Sequence, residues 1–267
     1  MKIKLILLSL FASTCVIAQE INIGINGGLT GLCNNADYKP GGQISLGYAH
    51  FLNKQWSIGT GISLDILGSS IKEDMLSGNY STIDNEGDSF IFNYVLNKYE
   101  EQADVWMLSI PIRMQFQSEG KNKLYASIGA KFAFPMIQEF SSSASQAKFT
   151  GKYPQYGIDE LDAPLSQGFG IQTKPSSGIQ KSNLSTAIIA TIETGMKWNL
   201  GTKQDLYTGV FLDYGLSNIA KTTDNHIAMY NVTNPEKHIY QSILSTDRSD
   251  KVTPFSAGVT IRFAIKL

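Results

Sequence analysis

The sequence predicts an all-β chain, an eight-stranded antiparallel up-and-down transmembrane β-barrel with short periplasmic turns and long extracellular loops. Three observations carry this. Segments of about ten residues alternate apolar with small or polar side chains at period two, as strands facing two environments do. The connections between them alternate short and long, the rhythm of a barrel with unlike ends. Aromatic residues gather at both ends of the apolar face. Composition agrees: the 267 residues are 42% hydrophobic and 17% charged, with a mean hydropathy of −0.09. These values exclude wholesale disorder and a polytopic helical membrane protein. Twenty-two Lys and Arg against 23 Asp and Glu leave a net charge of −1, so no electrostatic pull toward nucleic acid is expected.

Residues 1–18 read as a signal peptide and 19–267 as the barrel domain. Lys2 and Lys4 precede an apolar run from Leu5 to Ala18, closed by Val16-Ile17-Ala18 before Gln19. That run is shorter than the roughly 20 residues a membrane helix needs. Thr14 before Cys15 does not suit a lipoprotein site. Cys33 is then the only cysteine of the exported chain, so no internal disulfide and no thiolate metal cluster is expected.

The first strand sets Ile21, Ile23, Ile25 and Leu29 against Asn22, Gly24, Asn26 and Gly28. The second sets Ile44, Leu46, Tyr48 and Leu52 against Gln43, Ser45, Gly47 and Ala49. The third sets Trp56, Ile58, Ile62, Leu64 and Ile66 against Ser57, Gly59, Gly61, Ser63 and Asp65. Trp106, Leu108, Ile110, Ile112, Met114 and Phe116 form the fourth. Leu124, Ala126, Ile128, Phe132 and Phe134 form the fifth. Leu184, Ile188, Ile192, Met196 and Trp198 form the sixth, and Leu206, Val210, Leu212, Tyr214 and Leu216 the seventh. Phe255, Val259, Ile261, Phe263, Ile265 and Leu267 close the chain.

Short turns are expected at Asn53-Lys54-Gln55, from Gln117 to Lys123 and from Gly201 to Asp205. Long connections are expected over 33–42, 69–103, 137–182 and 218–251. Each segment matches the roughly 9–11 residues that cross a bilayer at about 45°. Closure removes free sheet edges in lipid. Trp56, Phe116, Trp198 and Phe263 fall near the short-turn end of the apolar face, and Trp106, Phe134 and Tyr214 near the other, as two membrane girdles. A final strand ending on in-phase Leu267 suits the barrel-assembly machinery.

Several stretches carry a resemblance. They are Val16-Ile17-Ala18-Gln19, Ile23-Gly24-Ile25-Asn26-Gly27-Gly28, Leu108-Ser109-Ile110-Pro111-Ile112, Tyr125-Ala126-Ser127-Ile128-Gly129 and Phe255-Ser256-Ala257-Gly258-Val259. With them the chain resembles the small outer-membrane β-barrel proteins of the Bacteroidetes, the PorT-like family. The resemblance implies an eight-stranded outer-membrane barrel and, from the family's named member, a role in type IX protein secretion. It implies no catalytic residues.

Chemistry-bearing residues are sparse. Asp65, Arg113, Lys131, Glu193, Lys197, Asp213, Arg262 and Lys266 fall on the lumenal face. In a narrow interior they must pair, because an isolated buried charge costs several kcal/mol. They read as a polar network plugging the barrel, or as the lining of a narrow pore whose selectivity follows an excess of Lys and Arg. His50, His226 and His238 show no metal-ligand spacing. A dyad of His238 with Asp247 or Asp250 can be drawn, as in any long polar loop. Gly24/Gly27/Gly28 and Gly59/Gly61 lack the helix a phosphate loop needs. The third long connection is the richest surface, with Tyr153, Tyr156 and Phe169 suited either to contact or to packing on the rim.

The expected function is therefore non-enzymatic, with no cofactor. It is that of a binding or secretion and envelope accessory barrel acting through its loops. The alternative is a structural barrel or narrow porin-like channel. Expected partners are outer-membrane lipid, the assembly machinery, and envelope or secretion proteins, around a monomer.

Overall fold

The computed structural model describes residues 19–33, 36–221, 226–246, 248–249 and 251–267. The expected signal peptide, Asp247, Asp250 and the side chain of Cys33 lie outside the described residues. The described strands are β1 (Gln19–Cys33), β2 (Asp37–Phe51), β3 (Trp56–Ile83), β4 (Ser89–Gln117), β5 (Lys123–Ser143), β6 (Gln146–Tyr153) and β7 (Ile158–Leu161). They continue with β8 (Gly170–Thr173), β9 (Ser176–Lys181), β10 (Ala187–Asn199), β11 (Gln204–Gly215), β12 (Ala228–Met229), β13 (Ile239–Tyr240) and β14 (Val252–Lys266).

Eight of them close a ring. β1 to β5 pair in sequence, β5 pairs with β10, β10 with β11, β11 with β14, and β14 returns to β1, every step antiparallel. The closing seam runs from Glu20↔Lys266 to Thr30↔Ser256 without a break. Glycines let these strands approach: a Cβ on Gly28 would fall 2.0 Å from the Ala257 carbonyl. Three tight turns sit at one end. In the first, Asn53 Oδ1 accepts from the Gln55 and Trp56 amides, both at 2.8 Å.

The ring is inside-out relative to a soluble protein. Ile21, Ile23 and Ile25 are exposed, while Glu20, Asn22 and Asn26 are buried. The same exchange runs round the barrel, giving a continuous exposed belt that includes Leu46, Ile62, Ile112, Ile128, Ile192, Leu212 and Ile261. A belt this extensive requires lipid. On β3 it runs from Trp56 to Ile66, a bilayer's width in tilted strand. Trp56 and Phe116 face each other across β3 and β4 with ring centroids 5.1 Å apart. The structure is that of a transmembrane β-barrel.

The connections at the other end correct the sequence reading. The expected long connection over 33–42 is short, because β2 begins at Asp37. Pro40-Gly41-Gly42 sits within β2 at a register shift between Tyr38 and Gly42. Gly41 is needed there: a Cβ would lie 2.5 Å from both the Ile66 carbonyl and Thr30. Leu184, expected to face lipid on the sixth strand, is buried in a lone bridge to Ala220, and β10 starts at Ala187.

The stretch over 69–103 is sheet. β3 and β4 continue past the membrane to a turn at Asp84, whose side chain accepts from the Glu86 and Asp88 amides. Water surrounds this part, so the pattern inverts and the apolar residues turn inward. Lys98, at φ 48°, marks where the inward set changes from Tyr99, Glu101 and Ala103 to Phe90, Phe92, Tyr94 and Leu96. β6 adds to outer β4, β7 and β8 add to β6, and β9 adds to outer β5. The described residues between 218 and 251 fold across this wall as a cap. Its Ile227, Ala228, Tyr230, Ile243 and Leu244 join Phe90, Phe92, Phe149 and Phe169 in one hydrophobic core.

Candidate functional site

Two regions concentrate polar chemistry. The first is the lumen. Glu193 accepts from Arg113 and Arg262, each at 2.9 Å, and from the Tyr125 hydroxyl at 2.8 Å. Arg262 also donates to Gln115 at 3.0 Å and lies over the Tyr207 ring at 4.5 Å. Toward the outer end, Lys131 meets Asp213 at 2.5 Å and Ser109 donates to Asp65 at 2.5 Å. Toward the short turns, Lys197 bridges Glu20 at 2.5 Å and Asp205 at 3.1 Å, and Lys266 reaches Asp205 at 2.8 Å.

Glu20 and Asp205 change the electrostatics of the interior. With them, the cations Arg113, Lys131, Lys197, Arg262 and Lys266 face the anions Asp65, Glu193, Asp213, Glu20 and Asp205. The expected excess of Lys and Arg is absent from this set. Both acids lay in plain view, since Glu20 shares the phase of Asn22, and Asp205 that of Tyr207 and Asp213. Two voids between the network's side chains measure 20 and 10 Å³, on the scale of a single water each.

The second region is the outer lobe. The Asp84–Asp88 turn, the end of β6 and the cap enclose a cleft of 180 Å³, lined by Asp84, Glu86, Asp88, Tyr153, Tyr156, Phe169 and Tyr230 among others. The Tyr153 hydroxyl donates to Asp84 at 3.0 Å and the Tyr156 hydroxyl to Asp88 at 2.8 Å. Burial and the bond to Asp84 raise the Tyr153 phenol above its ordinary range, and the bond to Asp88 does the same for Tyr156. The three loop residues singled out by sequence thus share one cleft but divide in role. Phe169 is 1% exposed and Tyr153 6%, both packed on Phe90, whereas Tyr156 is 58% exposed. Sequence reading missed the acidic turn and Tyr230, which come from other connections.

Below the cleft, two buried groups fasten the cap. Glu101 accepts from Tyr99 at 2.6 Å, from the Ser242 hydroxyl at 2.5 Å and from the Ile243 amide at 2.9 Å. Burial raises its carboxyl above the ordinary range against the pull of those three bonds. His238 stacks on Phe149 with centroids 3.6 Å apart and contacts the Gly168 carbonyl at 3.0 Å. Burial lowers its imidazole to about 4. No group of three or more His, Cys, Asp or Glu among the described residues is arranged to hold a metal.

Searches against protein-family models and curated proteins find no match. Among solved structures the chain is similar to Ail, the attachment invasion locus protein of Yersinia pestis, in complex with the heparin analogue sucrose octasulfate. That alignment has 9% identity, covers 94% of this chain and 99% of that one, and has a TM-score of 0.37. The chain is also similar to Neisserial surface protein A, at 8% identity over 92% of this chain and 97% of that one, with a TM-score of 0.36.

Proposed function

We propose that the protein is a non-enzymatic binding barrel of the outer membrane, displaying its cleft lobe outward and working as an accessory to envelope or secretion proteins. The observation that carries this is the cleft, in which exposed Tyr156 and the acidic turn are held on a packed wall. Binding tends to reside on loops positioned by a rigid scaffold. The resemblance of the strand motifs to PorT-like barrels of the Bacteroidetes supports the secretion role, and the leader-like start supports export. In this reading the chain needs no cofactor and sits in lipid as a single barrel. The channel alternative is disfavoured by a lumen in which every cation of the network is ion-paired or bonded to Glu193, Asp213, Glu20 or Asp205, and by two voids among its side chains of only 20 and 10 Å³.

The test is extraction from native membranes in mild detergent, followed by native electrophoresis and identification of comigrating chains. The wild type is expected to comigrate with envelope or secretion components. Tyr156→Ala with Asp88→Asn is expected to lose them while keeping a heat-modifiable, folded barrel. A lone monomer from wild-type membranes would sink the accessory reading.

A further inference from the structure

At the short-turn end the lumen widens into a cup of 630 Å³, within the roughly 300–1,000 Å³ of ligand pockets. Its floor carboxylates are already engaged, Glu20 by Lys197 and Asp205 by Lys197 and Lys266. The rim differs. Lys54, Lys121 and Lys123 line it and form no ion pair among the described residues, and Glu119 is the one rim carboxylate against them. Asn53 also lines the cup and has its Oδ1 taken by two backbone amides, so its NH2 group is the part of the side chain left to donate. Asn199 also lines the cup, and its side chain bonds to no described residue. The free groups at this mouth are therefore mostly hydrogen-bond donors, and their charge is positive.

We propose that this cup binds a soluble polyvalent anion, presenting several carboxylate or phosphate oxygens, on the short-turn side of the membrane. Rim lysines on two separate turns match a ligand with spaced charges, and the enclosed floor screens less than open water does.

The experiment is calorimetric titration of the full chain in nonionic micelles with hexaglutamate, tripolyphosphate and, as a neutral control, hexaglutamine. One or both anions are expected to bind, with affinity falling as salt rises, and the control is not. Binding of the peptide alone assigns polypeptide carboxylates as the source, and binding of tripolyphosphate alone assigns phosphate. The variant Lys54→Gln/Lys121→Gln/Lys123→Gln, confined to exposed positions and a strand end, is expected to lose about tenfold in affinity. Lys148→Gln/Lys152→Gln in the outer lobe is expected to lose none. The proposal is overturned if neither anion binds, if the rim variant binds as well as the wild type, or if the lobe variant loses as much.

Discussion

Replacing Glu193 by Gln tests the lumenal network where it is most connected. Glu193 is 2% exposed and satisfies two guanidinium groups and a phenol, at 2.9, 2.9 and 2.8 Å. The amide keeps the shape and one acceptor oxygen but leaves Arg113 and Arg262 facing each other across a dry interior. Removing one partner of a buried pair costs about 3–5 kcal/mol, and the loss is expected at the upper end because two cations are stranded. The assay is urea unfolding in lipid vesicles, read from the heat-modifiable band. Glu160→Gln is the control, since its pair with Lys148 is exposed on both sides and should be worth less than about 1 kcal/mol. Adding Arg113→Gln to Glu193→Gln should recover part of the loss, giving a coupling of about 0.5–3 kcal/mol. A Glu193→Gln loss no larger than that of the control would refute the argument that the network holds the barrel together.

In planar bilayers the wild type is expected to show no steady conductance, and Arg113→Ala to admit small currents; steady wild-type steps would contradict a sealed lumen. His238 is lowered to about 4 from an ordinary 6.5, so between those values the unfolded chain holds a proton that the folded lobe does not. Lobe stability should therefore fall by about 3 kcal/mol as pH drops through that window; His238→Phe should abolish the fall, which lobe tyrosine fluorescence would report. Glu101 acts with the opposite sign. Its raised carboxyl makes the cap tighter as pH falls through its folded value toward the ordinary 4.5, and the protection factor of the Ile243 amide, corrected for the pH dependence of intrinsic exchange, should rise in the wild type but not in Glu101→Gln.

The membrane part of the fold is legible because lipid imposes a simple rule on every strand, apolar out and polar in. Ile21 to Leu29 and Phe255 to Ile265 can be read directly, and the short turns bound them. The outer wall obeys the same period in the opposite sense. Phe90, Phe92, Tyr94 and Leu96 alternate as cleanly as any lipid-facing set, yet they point inward because the surroundings there are aqueous. The irregular backbone at Lys98 shifts the phase between the two regimes, so a pattern followed outward from Trp106 does not carry through. Pro40-Gly41-Gly42 reads as a loop for a related reason. Glycine in a strand signals close approach as readily as a turn, and only the position of Thr30 and the Ile66 carbonyl decides between them. Of the candidate sites, Tyr153, Tyr156 and Phe169 share one connection and were visible together. Asp84, Asp88 and Tyr230 reach the same cleft from two other connections, a convergence that tertiary packing alone creates.

The most direct test of the account is the sidedness of the two ends. Single cysteines at Tyr156 and Lys121, in a chain whose own cysteines are replaced by serine, would be exposed to a membrane-impermeant maleimide on intact cells and after lysis. The account predicts labelling of the Tyr156→Cys chain on intact cells and of the Lys121→Cys chain only after lysis. Labelling of Lys121→Cys alone on intact cells, or of neither chain until lysis, would contradict an outer-membrane barrel that presents its cleft lobe outward.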